Sequence, residues 1–260
     1  MKKRLLLQWL PLLAAVLPAH AAVTSIAETN NGTNTAAVVS PTLFGEDQPS
    51  FTDRYHQHNG VLVSTTTGLL VANSGNNNPI ADTAAIGLPS YLVGNEYIRI
   101  ANNARSSANY TLTINVDTPS YVYVLLDNRI NSPAGNTSSP STTPPDVSSG
   151  NLNWINTLGF TQMNTGLFPN SQPDFTGVDE IGGFPNTPTA ADTGTGAGQN
   201  INNFYTVYRT QIGAGSIELG QQNVGGINMY SVVVAPVPEP VTGALFGLGG
   251  LGFLLRRRRS

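Results

Sequence analysis

The chain of 260 residues contains no cysteine, and between its two ends it contains no lysine. The first absence excludes disulfide scaffolds, thiolate metal sites, cysteine nucleophiles and lipidation on cysteine. The second leaves Arg54, Arg99, Arg105, Arg129 and Arg209 against fourteen carboxylates from Glu28 to Glu218, so the body carries a formal charge of −9. Phosphate recognition requires clustered Lys and Arg, and these five arginines are dispersed along the chain, which argues against nucleic acid as a partner. Histidine is almost missing as well, with only His20, His56 and His58. No serine sits in a Gly-x-Ser-x-Gly elbow, the strand-to-helix turn that exposes a nucleophile in one large hydrolase class.

Asparagine and threonine are abundant, at about 27 each, alongside 27 Gly and 18 Pro, and apolar residues reach 40% against the usual ~45–50%. Short runs of valine, leucine, isoleucine and aromatics recur throughout, so the composition is not that of a disordered chain. It is that of an extracellular β protein with many turns and polar, uncharged faces. A body of more than two hundred residues can bury enough apolar surface without disulfides.

Both ends read as addresses. Residues 1–21 combine Lys2-Lys3-Arg4, an apolar stretch over 5–17 and the small-residue pattern Ala19-His20-Ala21. That is a secretory signal with cleavage by signal peptidase after Ala21. Pro11, Pro18 and the brevity of the apolar run weigh against a permanent span of a ~30 Å hydrocarbon core. At the other end, Val237-Pro238-Glu239-Pro240-Val241-Thr242 precedes a glycine-rich apolar segment over 243–255, then Arg256, Arg257, Arg258 and Arg259. Two prolines hold an extended backbone around one carboxylate, and four arginines stop the apolar segment at the cytoplasmic face. About 15 residues of helix cover about 22 Å, a length suited to a transient anchor.

This tripartite end closely resembles the PEP-CTERM sorting signal of Gram-negative bacteria that produce exopolysaccharide. The resemblance implies a partner, exosortase, a membrane-embedded transpeptidase-like enzyme that processes the chain near Pro238-Glu239-Pro240. It also implies a transient stay in the inner membrane, then release to the cell surface or a biofilm matrix.

Between the addresses the punctuation is that of strands. Residues 109–117 alternate, with Tyr110, Leu112, Ile114 and Val116 on one face and Thr111, Thr113, Asn115 and Asp117 on the other, as in a half-buried antiparallel strand. Residues 121–126 are apolar on both faces, which predicts a central strand covered on both sides. Further strands are expected at 36–40, 61–65, 69–73, 97–101, 203–210, 216–219 and 228–235, with one short helix at 152–158 around Trp154. The fold class is therefore all-β: an antiparallel, jelly-roll-like β-sandwich over 22–236, flanked by a signal helix and by a C-terminal apolar helix within 237–260. Long loops are expected over 132–150 and 182–200. The second half of the body, from Tyr123 to Val234, loosely resembles β-sandwich domains of secreted carbohydrate-active proteins, which implies sugar binding without assigning a residue to it.

Candidate chemistry is sparse. His56 and His58 share a face if they lie on a strand and with Asp53 would offer metal ligands; a polar loop leading into the strand at Val61 is the plainer reading. Glycoside hydrolysis needs two facing acids, for which Asp127, Asp174, Asp179 and Glu180 are candidates. Asp127 and Arg129, two apart, read as a strand-end salt bridge. Calcium is the ion an acidic exported protein would hold, on loops at 174–180 or 192–196, although neither fits a complete calcium loop. Tyr55, Tyr91, Trp154 and Tyr205 offer ring faces for stacking on sugars. The reading reached is a non-enzymatic exported surface or matrix protein without a resident cofactor. Its alternatives are a carbohydrate-binding module and a polysaccharide hydrolase or lyase.

Overall fold

The structure, a computed structural model, describes residues 23–73, 80–130, 141–183 and 196–238. Fifteen strands run through them: β1 Val23–Thr29, β2 Val38–Val39, β3 Gln48–Pro49, β4 Arg54–Asn59, β5 Val61–Ser64, β6 Leu70–Val71, β7 Thr83–Ile86, β8 Glu96–Arg99, β9 Thr111–Val116, β10 Ser120–Asp127, β11 Thr161–Gln162, β12 Phe175–Gly183, β13 Asn203–Ile212, β14 Gly215–Leu219 and β15 Ser231–Pro236. The one α-helix among them, α1, spans Asn153–Thr157 and follows a 3-10 turn at Gly150–Leu152.

The strands form antiparallel sheets, and the all-β sandwich expected from the sequence is what the chain builds. A nine-stranded sheet runs β2-β8-β15-β10-β13-β12-β4-β3, with β11 added on β13. A three-stranded sheet, β1-β9-β14, packs on one face, and a second one, β6-β5-β7, lies beside the other. The alternation in β9 does what its pattern dictates: Leu112, Ile114 and Val116 are buried, while Thr111, Thr113 and Asn115 are half-buried. They meet Val122, Val124, Leu126, Val232 and Val234 of the large sheet in the main core, which α1 closes with Ile155.

The opposite face of the same strands is also covered. Tyr123, Leu125, Val207 and Val233 pack with Phe44, Leu88, Leu92 and Met163, carried by loops and a short bridge between strands. Beyond them Val61, Val63, Phe168, Phe175, Ile201 and Phe204 form a third cluster. Two covered faces explain why β10 reads as an unbroken apolar run, whereas β9, with one face open, alternates.

Several expectations need correction. Arg54–Asn59 is not a polar loop but β4, paired with β12 from Asn59↔Gly177 to Arg54↔Gly183. Residues 175–183 belong to a strand, so 174–180 offers no loop, and the loop expected from 182 begins after Gly183. Strands β1, β3, β7, β11 and β12 had no clear pattern in the sequence. The signal helix, the apolar helix, Ala19, Ala21, Glu239, Pro240, Thr242, Arg256, Arg257, Arg258, Arg259 and most of the two long inserts lie outside the described residues. Among the described residues no helix is long and apolar enough to cross a membrane.

Candidate functional site: two ends of one sandwich

Register sorts the functional residues to opposite ends. At one end Val23 pairs with Val116, Ser120 with both Ile212 and Pro236, and Gly215 with Val116. The Val23 amide donates to Glu96 Oε2 at 2.7 Å, and Glu96 itself faces Val234 across the sheet. The first described residue and the last strand therefore finish side by side. Two of the links at this end are short: three residues, Asp117 to Pro119, between β9 and β10, and two, Gly213 and Ala214, between β13 and β14. Past Pro236, Val237 still donates its amide to the Pro119 carbonyl at 3.0 Å, and Pro238 is exposed. The second residue of the Val-Pro-Glu-Pro motif thus stands exposed just past the end of β15.

The other end holds the ionic chemistry. Asp127, at the end of β10, is fully buried, and Arg129 is 7% exposed. Arg129 Nε donates to both Asp127 oxygens at 3.0 Å and Nη2 donates to Oδ2 at 2.6 Å, which is the salt bridge expected from the sequence. The same Nη2 donates to Glu180 Oε1 at 3.0 Å, joining β12 to the pair. Three amides complete it. Asn203 and Asn228 donate to Glu180 Oε1 at 2.5 and 2.6 Å, and the Asn228 backbone amide donates to Asp127 Oδ2 at 2.9 Å. Asn102 donates to Asn228 Oδ1 at 3.0 Å. Burial works against the Arg129 charge, but Asp127 and Glu180 outweigh it and hold the guanidinium above its ordinary pKa.

Three of the five arginines that are scattered in the sequence gather here. Arg54 and Arg105 both donate to Asn103 Oδ1, at 2.8 and 3.3 Å. Asp53 accepts the backbone amides of Asn102 and Asn103 at 2.5 and 3.1 Å, so it anchors a turn. His56 and His58 do share the inner face of β4, but His58 Nε2 pairs with Ser231 Oγ at 2.8 Å and its ring sits among Phe44, Tyr97 and Tyr205. Burial, reinforced for His56 by Arg54 and Arg129, depresses both imidazoles to about 3. Among the described residues no group of three or more His, Asp or Glu lies close enough to hold a metal ion.

The acid candidates are engaged elsewhere. Asp174 Oδ2 accepts the Tyr91 hydroxyl at 2.8 Å, and Oδ1 accepts the Thr165 amide and hydroxyl at 3.1 Å. Asp179 accepts Asn200 Nδ2 at 2.7 Å, and Asp127, Asp174 and Asp179 are all fully buried. Three of the four candidate aromatics are likewise occupied. Tyr205 is fully buried, Trp154 packs on Phe160 and Tyr230 while donating Nε1–H to the Gln221 carbonyl at 3.0 Å, and Tyr91 stacks on Tyr123 at 5.2 Å.

Beside the ionic network lies a cavity of about 370 Å³ lined by Ile130, Asp146, Ser149, Asn151, Leu152, Gln222 and Val224. Gln222 is itself buried and donates Nε2–H to the Asn228 carbonyl at 2.8 Å, which links cavity and network. No sequence motif announced the asparagines and Gln222. The only trace is the abundance of Asn, including the doublets Asn102-Asn103 and Asn202-Asn203.

The geometry defines an antiparallel β-sandwich whose last described residues, Val237 and Pro238, follow β15 at the end that holds Val23 and Ser120. Residues 236–259 match the family model of the PEP-CTERM protein-sorting motif. The motif implies export, a C-terminus anchored in the membrane before processing, and exosortase as the processing partner. No curated protein and no solved structure matches the chain, so the body's likeness to carbohydrate-associated sandwiches has no relative behind it.

Proposed function

We propose that the chain is a cell-surface or exopolysaccharide-matrix protein that acts by contact rather than catalysis, delivered by signal peptidase, a transient membrane anchor and exosortase. The observation that carries this reading is the position of the matched tail: it begins where β15 ends, one backbone hydrogen bond beyond the folded sheet. The non-catalytic part is supported by the state of the acids, since three of the four candidates are sealed in hydrogen-bonded networks and reach no substrate. No cofactor enters the proposal. The test is expression in a host with and without its exosortase, followed by fractionation. Release to the exterior only when exosortase is present supports the reading, and equal release without it contradicts the reading.

A second reading, a carbohydrate-binding module, is favoured by the cavity. Its volume lies within the range of small-ligand pockets. Its lining sets one carboxylate, a hydroxyl and two amides around three aliphatic side chains, with no cation, a mixture suited to a neutral sugar. Glycan-array binding, with and without calcium, distinguishes the two. Saturable binding that Asn151→Ala abolishes favours the module, and an empty array favours a structural role.

A further inference from the structure

The membrane-bound stage of the protein has an orientation written into the fold. We infer that, while anchored, the sandwich stands on its Val116–Ser120 end against the lipid headgroups and presents the end bearing the Arg129 network and its cavity away from the membrane. This rests on the tail serving as the anchor, as proposed above.

Two observations carry it. First, both addresses leave from the same end: Val23 pairs with Val116, and Pro236 with Ser120, across the three-residue link between β9 and β10. Second, the tether is short. Only Glu239, Pro240, Val241 and Thr242 separate the exposed Pro238 from the apolar segment that starts at Gly243, and four residues cannot span more than about 14 Å. A domain held so closely has little room to turn over. Strand β10, from Ser120 to Asp127, separates the ends by about 24 Å at ~3.4 Å per residue. The far end therefore stands well clear of the surface when the near end touches it.

The consequence for function is one of timing. The far-end cavity is open to soluble or matrix partners before exosortase acts, whereas the near end becomes available only after release.

The absence of cysteine makes the test direct. Single cysteines at exposed near-end positions, Asp117→Cys and Ala214→Cys, and at exposed far-end positions, Ala108→Cys and Ser148→Cys, are labelled with a fluorophore in the full chain. The labelled proteins are reconstituted into phosphatidylethanolamine–phosphatidylglycerol vesicles that carry a nitroxide-headgroup lipid. Flotation with the vesicles tests the anchor itself, and failure to float overturns both the anchor and the orientation. Given flotation, near-end labels quenched several-fold more than far-end labels support the orientation. Equal quenching, or stronger quenching at Ala108→Cys and Ser148→Cys, overturns it and leaves the anchor standing. An insert of about twenty Gly and Ser residues after Pro238, with an r.m.s. span of roughly 25 Å, should erase the difference. Persistence of the difference would mean that the near face binds lipid by itself and that the short tether does not set the orientation.

Discussion

Acidification from pH 7.5 to pH 5 should cost this fold about 4 kcal/mol, and the two imidazoles of β4 are the reason. His56 is 7% exposed and His58 is fully buried, and burial drives both from an ordinary value near 6.5 down to about 3. His56 is desolvated and faces Arg54, Arg129 and Arg105, which oppose its protonation, and Asp53, which favours it. His58 faces His56 and an aromatic box. A group whose pKa falls on folding stabilises the native state above its unfolded pKa. That contribution is lost as pH drops from about 6.5 toward 3, because the unfolded chain takes up protons that the native one refuses. At pH 5 the loss is about 2 kcal/mol per histidine, so about 4 kcal/mol for the pair, a large share of the ~5–15 kcal/mol of a typical domain. Ordinary carboxylates titrate near 4 and contribute little in this window. Urea unfolding of the released form at pH 7.5, 6.5 and 5 measures the effect. With m near 2–3 kcal/mol/M, the midpoint should fall by about 1.3–2 M. His56→Gln should halve the slope. A midpoint unchanged with pH, or an unchanged slope in the variant, would refute the reasoning.

Other perturbations read different parts of the structure. Asp127→Asn leaves the Arg129 guanidinium buried with only Glu180 to balance it and should destabilise by about 3–5 kcal/mol, visible as a lower thermal midpoint; an unchanged midpoint would show that the pair is dispensable. Ile114→Ala, in the main core, should cost about 2–5 kcal/mol, while Thr113→Ala on the other face of β9 should cost well under 1 kcal/mol, and equal losses in chemical denaturation would contradict the assigned face. Gly198 has φ +77° and its missing Cβ would press into the Leu62 side chain, so Gly198→Ala should lose more than about 1 kcal/mol; a neutral result by the same assay would mean that this loop yields.

The strands that could be read from the sequence were those with one environment along their length. β9 alternates because one face meets Val122 and Val124 and the other meets solvent, and β10 is unbroken because both faces are covered. β4 and β12 were unreadable for the opposite reason. Tyr55-His56-Gln57-His58-Asn59 and Thr176-Gly177-Val178-Asp179-Glu180 place polar side chains inward, where Ser231, Asn200 and Arg129 satisfy them. A buried face built from partners far apart in the chain has no hydrophobic period to detect. The Asp127–Arg129 pair was legible because both members lie two residues apart on one face. Glu180, 51 residues away, and Asn228, 101 residues from Asp127, join it only through strand register, which no local pattern encodes. The sorting tail was legible throughout, because its chemistry lies in the order of its residues and not in the fold.

The central claim is delivery through the tail, and intact-mass spectrometry of the form recovered outside the cell tests it most directly. The account predicts an N-terminus near Ala22 and the loss of everything beyond the Pro238-Glu239-Pro240 region. A mass that retains Arg256 to Ser260 would contradict it.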